Sequence, residues 1–304
     1  MHVLITGGSG LIGSYLSKKL KEKGYETAVL SRKRQSDPDT RTYLWDPGKN
    51  EIEKEAIDNA GFIIHLAGAN ISGKRWTKKR KREIVDSRVE TAKLLFNKVS
   101  ESKTKPKAFI SASAVNYYGT LTSDMIFTED DPPSDDFLGE TCKKWEQAAL
   151  RFEELGIRTI IVRNGVVISP GEGALKKMSV SVKLGFGSPV GSGKQYFPWI
   201  HIEDLCNIYI KAIEESEMQG AYNAVAPDHI KNRDVMKTLA DAYNRPFWAP
   251  RVPSFVMKTL FGEMADILLK GSRISADRIK EAGYEFRFTD IKDAVSAIVP
   301  EDAG

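Results

Sequence analysis

The stretch that decides the fold is Thr6-Gly7-Gly8-Ser9-Gly10-Leu11-Ile12-Gly13, which follows the apolar run His2–Thr6 and opens the helical pattern Leu11–Lys23. Glycines at this spacing allow a tight turn, a close backbone approach to a pyrophosphate, and close packing of a helix on a sheet. The N–H groups at the start of the helix would then face the phosphates along the helix dipole. The alternative is a glycine turn without a ligand, and the position of the turn at the amino end of an alternating chain counts against it.

Strand and helix patterns alternate up to about residue 167. Apolar runs typical of strands occur at Thr27–Leu30, Thr42–Trp45, Phe62–Leu66, Ala108–Ser111 and Thr159–Val162, and helical periodicity occurs at Thr77–Ser100 and Asp136–Glu154. Such alternation predicts a parallel sheet with helices on both faces. We therefore expect a Rossmann-type, doubly wound α/β fold, with a dinucleotide-binding domain over residues 1–167.

The character of the chain changes after residue 168. Residues 169–173 read Ser-Pro-Gly-Glu-Gly, a break, and helical patterns then dominate at Glu203–Glu215, Asn232–Asn244, Ser254–Leu269 and Ser275–Ala282. Residues 168–304 are predicted to form a smaller, mostly helical lobe that carries the substrate side of the site. The short segment Gly220–Ala224 is expected to return to the main sheet as a strand.

Composition excludes several classes of protein. The 304 residues include 45 Lys+Arg and 41 Asp+Glu, so the net charge of +4 indicates no polyanion partner. The two cysteines, Cys142 and Cys206, have no spacing typical of a disulfide scaffold or a zinc site. We find neither a signal peptide nor an apolar run of about 18 residues, so no membrane partner is expected. A reducing compartment, the cytoplasm, is the simplest expectation.

The residues after the second strand favour NADP over NAD. A carboxylate at this position accepts a hydrogen bond from the ribose 2′-OH of NAD, but here Ser31, Arg32, Lys33 and Arg34 come first and no acid precedes Asp37. A hydroxyl and a guanidinium suit a 2′-phosphate, which needs donors and positive charge. The alternative is a solvated basic turn.

The chain resembles the extended short-chain dehydrogenase/reductase superfamily, and within it the branch called "epimerase family protein", part of the NAD-dependent epimerase/dehydratase superfamily with its own carboxyl-terminal region. The resemblance covers nearly the whole chain. It rests on the glycine turn and on His65-Leu66-Ala67-Gly68-Ala69-Asn70-Ile71, Ser111-Ala112-Ser113-Ala114, Trp45-Asp46-Pro47, Arg75-Trp76-Thr77, Ser87-Arg88-Val89-Glu90-Thr91, Gly191-Ser192-Gly193-Lys194-Gln195, Phe197-Pro198-Trp199-Ile200-His201, Gly262-Glu263 and Gly283-Tyr284-Glu285-Phe286.

The resemblance implies NADP(H) as cofactor and assigns its contacts. Gly7, Gly10, Leu11, Ile12 and Gly13 would hold the pyrophosphate, and Ser31 and Arg32 the 2′-phosphate; Asp46 would approach the adenine, and Leu66, Ala67 and Gly68 would line the adenosine and ribose. Glu83 and Arg88 on the long helix would face the cofactor, and Arg163 and Val166 would come near the nicotinamide. Gln195, Phe197 and Trp199 would wall the substrate cleft, and no metal is implied.

The catalytic pattern of the superfamily is broken. Its members use a Tyr as acid/base, a Lys four residues later that lowers the pKa of that Tyr, and a Ser that orients the substrate oxygen. Counting back from Glu146 puts Leu138 at the Tyr position and Cys142 at the Lys position. The Tyr15-x-x-x-Lys19 pair lies on the first helix, which leads away from the nicotinamide.

Ser113 is retained, and Tyr118 is the first replacement candidate, although in the family it more often forms a wall of the site. Other candidates are Tyr117, Glu140, Cys142 and Lys143, while a solvated Lys143 and a Cys142 in the core are the simpler interpretations. His201 opens a helix, and a structural role is favoured over a catalytic one.

Residues 74–82 carry seven cations in nine residues. They are interpreted as a solvated helix face rather than a nucleic-acid site, with Arg75 or Arg82 drawing an anionic ligand to the cleft.

Two functions compete. The first is an NADP(H)-dependent oxidoreductase or epimerase acting on an unknown small hydroxyl or carbonyl compound. The second is an NADP(H)-binding protein with little turnover, serving as a redox sensor or an assembly factor, and nucleic-acid binding is a distant third. By analogy with the superfamily, Thr77–Ser100 is a candidate face for a homodimer.

Overall fold

The structure is a computed structural model that describes residues 2–34, 40–248 and 250–299. Its strands are β1 (His2–Thr6), β2 (Glu26–Ser31), β3 (Arg41–Asp46), β4 (Glu51–Ile52), β5 (Phe62–His65), β6 (Ala108–Ala114), β7 (Ile126–Phe127), β8 (Arg158–Asn164), β9 (Val166–Ser169), β10 (Trp199–His201), β11 (Gly220–Ala224) and β12 (Arg273–Ile274). Its helices are α1 (Leu11–Glu22), α2 (Lys54–Asp58), α3 (Lys78–Glu101), α4 (Phe137–Leu150), α5 (Gly173–Lys183), α6 (Ile202–Glu214), α7 (Asn232–Ala242), α8 (Ser254–Phe261), α9 (Asp266–Leu269), α10 (Asp277–Glu281) and α11 (Ile291–Ile298).

The main sheet has the strand order β11-β8-β6-β5-β1-β2-β3-β4 within the described part of the chain. Its pairings are parallel except for β3 with β4. The predicted doubly wound α/β fold is confirmed. β11, the segment expected to return to the main sheet, pairs with β8.

Both faces of the sheet are covered, as a parallel sheet requires. Side chains alternate between the faces along each strand. Val3 and Ile5 of β1 belong to the core that includes α1 and α6, whereas Leu4 belongs to the core beneath α3. This double burial explains why the strands read as continuous apolar runs.

β1 is the point at which the strand order reverses, because β2 lies on one side of it and β5 on the other. In such sheets ligands bind in the crevice outside the carboxyl ends of the strands at this point. Here the crevice lies at Thr6 of β1 and His65 of β5, which are paired in register. The glycine turn therefore opens directly onto it.

The carboxyl-terminal part has its own core. Side chains of α5, α7 and α11 pack around Trp199 of β10, which is fully buried. β9 and β10 form a separate parallel pair, as do β7 and β12. The boundary at residue 167 stays a prediction, and β9 runs across it. Among the described residues, no helix is long and apolar enough to cross a membrane.

A buried carboxylate fastens the end of the chain to α6. Asp204, which is 1% exposed, accepts hydrogen bonds from the Tyr284 hydroxyl at 2.7 Å and from the backbone N–H groups of Arg287 at 2.9 Å and Phe288 at 3.0 Å. Tyr284 and Phe288 are themselves buried, so two of the three donors would lose their partner away from the surface. Asp204 thus holds residues 284–288 in place.

We expect Asp204→Ala to lower the free energy of unfolding by about 3 kcal/mol, because buried donors lose their acceptor. Urea denaturation measures this loss. As a control, Glu214→Ala removes a carboxylate that pairs with Lys23 at the surface at 2.9 Å and should cost no more than about 1 kcal/mol. Equal losses in the two variants would contradict the anchoring role.

Candidate functional site

The glycine turn is packed so closely that side chains are excluded from it. Gly7 has φ +70°, and a Cβ there would lie 2.9 Å from the carbonyl carbon of Leu66. A Cβ on Gly13 would lie 2.4 Å from the carbonyl oxygen of Gly7, so α1 rests directly on the turn. The Gly10 N–H donates to the same oxygen at 3.0 Å. Two of the three predicted glycine roles, the tight turn and close helix packing, thus have a steric basis in this structure.

The start of α1 is open to an anion. Gly10 is its N-cap, no side chain caps it, and its first turn holds no acidic residue. The first N–H groups of any α-helix lack an acceptor within the helix. Because they face the crevice at the reversal point, the residues present fit a pyrophosphate. The assignment of Leu11 and Ile12 to that group stays a prediction.

The carboxyl ends of β1 and β5 are joined by one hydroxyl. The Thr6 Oγ1 atom accepts from the N–H groups of Leu66 and Ala67, each at 3.1 Å, and lies 2.8 Å from His65 Nδ1. His65 is fully buried, with Nε2 3.3 Å from Thr91 Oγ1. Burial lowers the pKa of His65 to about 4, so its ring is neutral at pH 7. The loop with Leu66, Ala67 and Gly68 is thereby fixed beside the glycine turn.

The basic turn after β2 carries cations that have no partner among the described residues. Ser31 continues β2 one residue past Leu30, the register partner of Thr6. Arg34 pairs with Glu53 at 3.4 Å, but Arg32 is exposed and has no hydrogen bond or ion pair with any described residue. Asp37 lies outside the described residues. The 2′-phosphate assignment of Ser31 and Arg32 stays a prediction.

Asp46 is the last residue of β3, which lies on the same side of β1 as β2. Its Oδ1 atom accepts from the Gly48 N–H at 3.0 Å and so shapes the turn that follows the strand. The predicted contact of Asp46 with an adenine is untested.

Arg88 lies against the loop after β5. Its guanidinium carbon would be 2.9 Å from a Cβ on Gly68, and its Nη1 donates to the carbonyl oxygens of Ala69 at 3.1 Å and Ile84 at 2.9 Å. It also lies 5.0 Å above the Trp145 ring. Burial lowers the pKa of Arg88, and no carboxylate in the described ranges pairs with it.

Glu83 does not contact Arg88 or the loop that follows β5. Although it lies on the same helix as Arg88, it is exposed, and its carboxylate pairs with Arg80 at 2.7 Å. The predicted contact of Glu83 with a cofactor stays untested.

A buried ion pair holds the retained serine. The Ser113 hydroxyl donates to Glu146 Oε1 at 2.6 Å, and Arg163 donates to both oxygens of Glu146 at 2.9 Å. The side chains of Glu146 and Arg163 are only 8% and 4% exposed. The only hydroxyl proton of Ser113 is thus committed to the carboxylate, and the lone pairs of Oγ are what it can offer to another group.

Tyr118 belongs to the same network. Its hydroxyl donates to Asn223 Oδ1 at 2.8 Å and accepts from Arg163 at 2.8 Å. Burial raises the pKa of the phenol, although the adjacent Arg163 acts in the opposite direction. Tyr118 is 2% exposed. This geometry counts against the predicted acid/base role and fits a residue that supports the site.

Arg163 also has its guanidinium committed to protein partners, and its predicted place near a nicotinamide stays untested. Its guanidinium is occupied by Glu146, Tyr118 and the carbonyl oxygen of Glu129 at 3.2 Å, and it stacks 3.6 Å from the Tyr117 ring. Contact of this side chain with a nicotinamide would require breaking the buried pair. Val166 begins β9, and the Val166 N–H donates to Pro198 O at 2.7 Å. The predicted role of Val166 stays untested.

The helix that should carry the acid/base pair presents apolar groups instead. Leu138 and Cys142, at the Tyr and Lys positions, are 3% and 4% exposed. Burial raises the pKa of Cys142 to about 12, and its thiol lies beside Ser113. Together with Glu146 they follow one another at four-residue spacing on one face of α4. The assignment of Leu138 and Cys142 to the Tyr and Lys positions stays a prediction.

Two of the three predicted cleft residues are buried, and their place at a substrate cleft stays a prediction. Trp199 is fully buried in the carboxyl-terminal core. Gln195 is 2% exposed, and its amide donates to the carbonyl oxygens of Val190 at 3.0 Å and Leu268 at 2.9 Å, so it connects two loops. Phe197 is partly buried and lines a small depression with Tyr196 and Arg273.

His201 caps α6 by accepting from the Glu203 N–H at 3.2 Å, a structural role.

The basic segment 74–82 is not simply a solvated face. Thr77 caps α3, Arg75 packs against Gly262, and Lys81 pairs with Glu263. Trp76 lies 5.1 Å from the Phe137 ring of α4. The segment therefore contacts the carboxyl-terminal part, which the cation count alone did not indicate.

Glu129 and Asn223 were missed by the sequence interpretation. The Asn223 N–H donates to Glu129 Oε1 at 2.7 Å, and these two residues extend the network around Arg163 to β11. No local pattern marks them. Among the described residues, no group of three or more His, Cys, Asp or Glu could hold a metal ion.

Comparisons with known proteins match both parts of the chain. The signature of the "NAD dependent epimerase/dehydratase family" matches residues 3–225, and that of a domain of unknown function, DUF1731, matches residues 252–298. The epimerase family protein YfhF of Bacillus subtilis is 34% identical over 303 residues, covering 99% of each chain. The epimerase family protein SDR39U1 of Homo sapiens is 36% identical over 304 residues, covering 98% of this chain and 100% of that protein.

Solved structures agree with these sequence matches. The crystal structure of human SDR39U1 isoform 2 with NADPH superposes with a TM-score of 0.89 at 34% identity, covering 98% of this chain and 99% of that one. A nucleoside-diphosphate sugar epimerase from Corynebacterium glutamicum gives 0.80 at 33% identity, covering 98% of this chain and 58% of that one. A nucleotide cofactor is supported by these relatives.

The buried pair around Ser113 can be tested by removing one partner. Glu146→Ala should lower the free energy of unfolding by about 3–5 kcal/mol, because Arg163 is left as an unpaired buried cation. Replacing both, as Glu146→Leu with Arg163→Met, should recover much of that loss in urea denaturation. The exposed pair Lys98–Glu101 serves as control, since Glu101→Ala should cost about 0.5 kcal/mol.

His65 predicts a pH dependence of stability. The native pKa of about 4 lies below the ordinary value of 6.5, so the unfolded chain takes up a proton that the native state does not. This contribution is complete above pH 6.5 and decreases as the pH falls towards 4, by about 3 kcal/mol in total. Urea unfolding of His65→Asn should show a correspondingly flatter dependence over that window. An unchanged dependence would contradict the assignment.

Proposed function

The chain belongs to the NAD-dependent epimerase/dehydratase family, and on that premise we propose that it is an NADP(H)-dependent oxidoreductase or epimerase for a small hydroxyl or carbonyl compound. The carrying observation is the open start of α1 at the reversal point of the sheet, beside a turn that has no room for a Cβ at Gly7 or Gly13. When bound, NADP(H) exchanges a hydride with a carbon that bears oxygen.

The preference for NADP over NAD rests on Arg32. It is exposed at the end of β2 and free of protein partners in the described chain, whereas Arg34 is paired with Glu53. A free guanidinium next to the Ser31 hydroxyl supplies the charge-assisted donors that a 2′-phosphate requires. The NADPH in the human relative is consistent with this choice.

The substrate oxygen is assigned to Ser113. Because its proton is donated to Glu146 at 2.6 Å, its oxygen accepts rather than donates. It therefore suits a substrate hydroxyl, which brings its own proton, better than a carbonyl oxygen, which brings only lone pairs. Ser113 is 2% exposed, so such a contact needs a small opening of the site.

A second function, NADP(H) binding with little turnover, is favoured by α4. Leu138 cannot transfer a proton, and a thiol with a pKa of about 12 at Cys142 is protonated at pH 7. A protein with this second function would serve as a redox sensor or an assembly factor. Both thiols, Cys142 and Cys206, are free, which suits the reducing cytoplasm proposed as the location.

Arg32→Asp tests the cofactor. Loss of a charge-assisted contact should weaken NADP⁺ binding about 30-fold and leave NAD⁺ binding within about twofold. Fluorescence titration with each nucleotide measures the change. Arg34→Asp, a neighbouring cation already paired with Glu53, is the matched control and should show little effect. Equal losses for the two nucleotides would refute the 2′-phosphate assignment.

Turnover separates the two functions. Purified protein with NADPH and a panel of carbonyl compounds, and with NADP⁺ and a panel of alcohols, is followed by absorbance of the reduced nicotinamide. Reaction that Ser113→Ala abolishes while nucleotide affinity is unchanged supports the enzyme. Tight nucleotide binding with no consumption across both panels supports the binding protein.

A further inference from the structure

Two segments of the carboxyl-terminal part run side by side, and exposed apolar and basic side chains lie on them and on the adjoining helices α5 and α8. The Gly191 N–H donates to Val252 O at 2.9 Å, and the Val252 N–H donates to Pro189 O at 3.0 Å. Farther along, the Trp248 indole N–H donates to Gly185 O at 3.1 Å. We call this surface the apolar-basic face; it comprises Lys176, Val180, Lys183, Leu184, Phe186, Arg245, Trp248, Arg251, Phe255, Lys258 and Leu260.

The apolar members are unusually exposed. Leu184 is 69% exposed, Phe255 71%, Trp248 65% and Leu260 63%, and Val180 and Phe186 are each 57% exposed. These six are the majority of the large hydrophobic side chains that are exposed in the described residues. Single exposed apolar residues are ordinary, but their concentration on two adjoining segments marks an interaction surface.

The same segments contain only positive charge. Residues 173–202 and 242–262 include no Asp or Glu, but they carry seven Lys and Arg, against a net charge of +4 for the whole chain. These seven are Lys176, Lys177, Lys183, Lys194, Arg245, Arg251 and Lys258. They are exposed, and none forms an ion pair with a residue in the described ranges. The surface is therefore complementary to a dense layer of anions.

The two kinds of side chain are interleaved on α5. Lys176, Val180, Lys183 and Leu184 follow at steps of four, three and one, which places them on the exposed side of the helix. Leu175, Ser179 and Val182 occupy the opposite, buried side. A ligand for this side must satisfy apolar and cationic groups within the same patch.

We propose that the apolar-basic face binds the surface of an anionic lipid membrane. Aromatic and aliphatic side chains enter the boundary between headgroups and acyl chains, while Lys and Arg contact anionic headgroups. A second copy of the chain fits less well, because a two-fold contact would set these cations against one another. The sequence predicted no membrane partner, on the ground that neither a signal peptide nor a spanning segment was found; a surface contact needs neither, and this proposal departs from that prediction.

The proposal is tested by flotation of the full chain with vesicles of phosphatidylcholine alone or with about one third phosphatidylglycerol. We expect binding to the anionic vesicles and little binding to the neutral ones. Binding should weaken strongly as salt approaches about 1 M, where charges are screened beyond about 3 Å. Equal binding to both kinds of vesicle, or binding to neither, would overturn the proposal.

Variants separate the contribution of the cations to vesicle binding from that of the apolar side chains. Lys183→Gln with Arg251→Gln should weaken binding about 25-fold, roughly fivefold for each charge. Lys18→Gln with Lys54→Gln removes two exposed cations elsewhere and is the matched control, expected within about twofold. Leu184→Ser with Phe255→Ser should weaken binding about tenfold or more, whereas Met125→Ser with Leu150→Ser, exposed elsewhere, should not.

Two further outcomes would overturn the proposal. If sedimentation velocity showed a dimer that Leu184→Ser with Phe255→Ser dissolves, and vesicles were not bound, a second copy would be the occupant. If DNA competed fully for the face and the apolar variants bound vesicles like the unmodified chain, the surface would be a general polyanion site. Thermal unfolding and NADPH titration of each variant show that the fold is retained.

Discussion

The close approach of the Gly7 backbone to the Leu66–Ala67 peptide is the constraint on which the site depends. It lets β1 and β5 end at one level, with the Thr6 hydroxyl bridging them. A Cβ at Gly7 would meet the Leu66 carbonyl at 2.9 Å and force the two strands apart. The start of α1, which is carried by the same turn, would move with them. Sheet order, crevice and anion-binding helix end are thus consequences of one steric requirement.

A second constraint is electrostatic. The Glu146–Arg163 pair connects α4 to β8, and its neighbours Ser113 and Tyr118 extend it to β6 and, through Asn223, to β11. Breaking it would leave a charge in a region that water does not reach, so the pair constrains every strand end that it touches. It also fixes the hydrogen-bond direction of Ser113, and with it the kind of oxygen that this serine can bind.

Features that depend on nearby residues were predictable, and features that depend on distant partners were not. The glycine turn, the basic turn at Ser31-Arg32 and the buried strands follow from local spacing, and β3 extends only one residue beyond the prediction at each end. Arg163, by contrast, has its partners 17 and 45 residues away in sequence, and Tyr118 has one 105 residues away. Helix α5 was missed because Pro170 and two nearby glycines indicate a break, yet the helix begins at the second of them, Gly173.

The prediction that Cys142 stands at the position of the usual lysine agrees with the charges around it. Cys142 lies beside Ser113 and near Arg88, whose guanidinium is held by carbonyl oxygens and has no carboxylate partner among the described residues. The nearest carboxylate on α4, Glu146, is already saturated by Arg163 and Ser113. An ammonium group at position 142 would therefore be a second unpaired cation in a buried space, at a cost of several kcal/mol. A neutral thiol avoids that cost, and Arg88 keeps a positive charge that no carboxylate of the described residues pairs with.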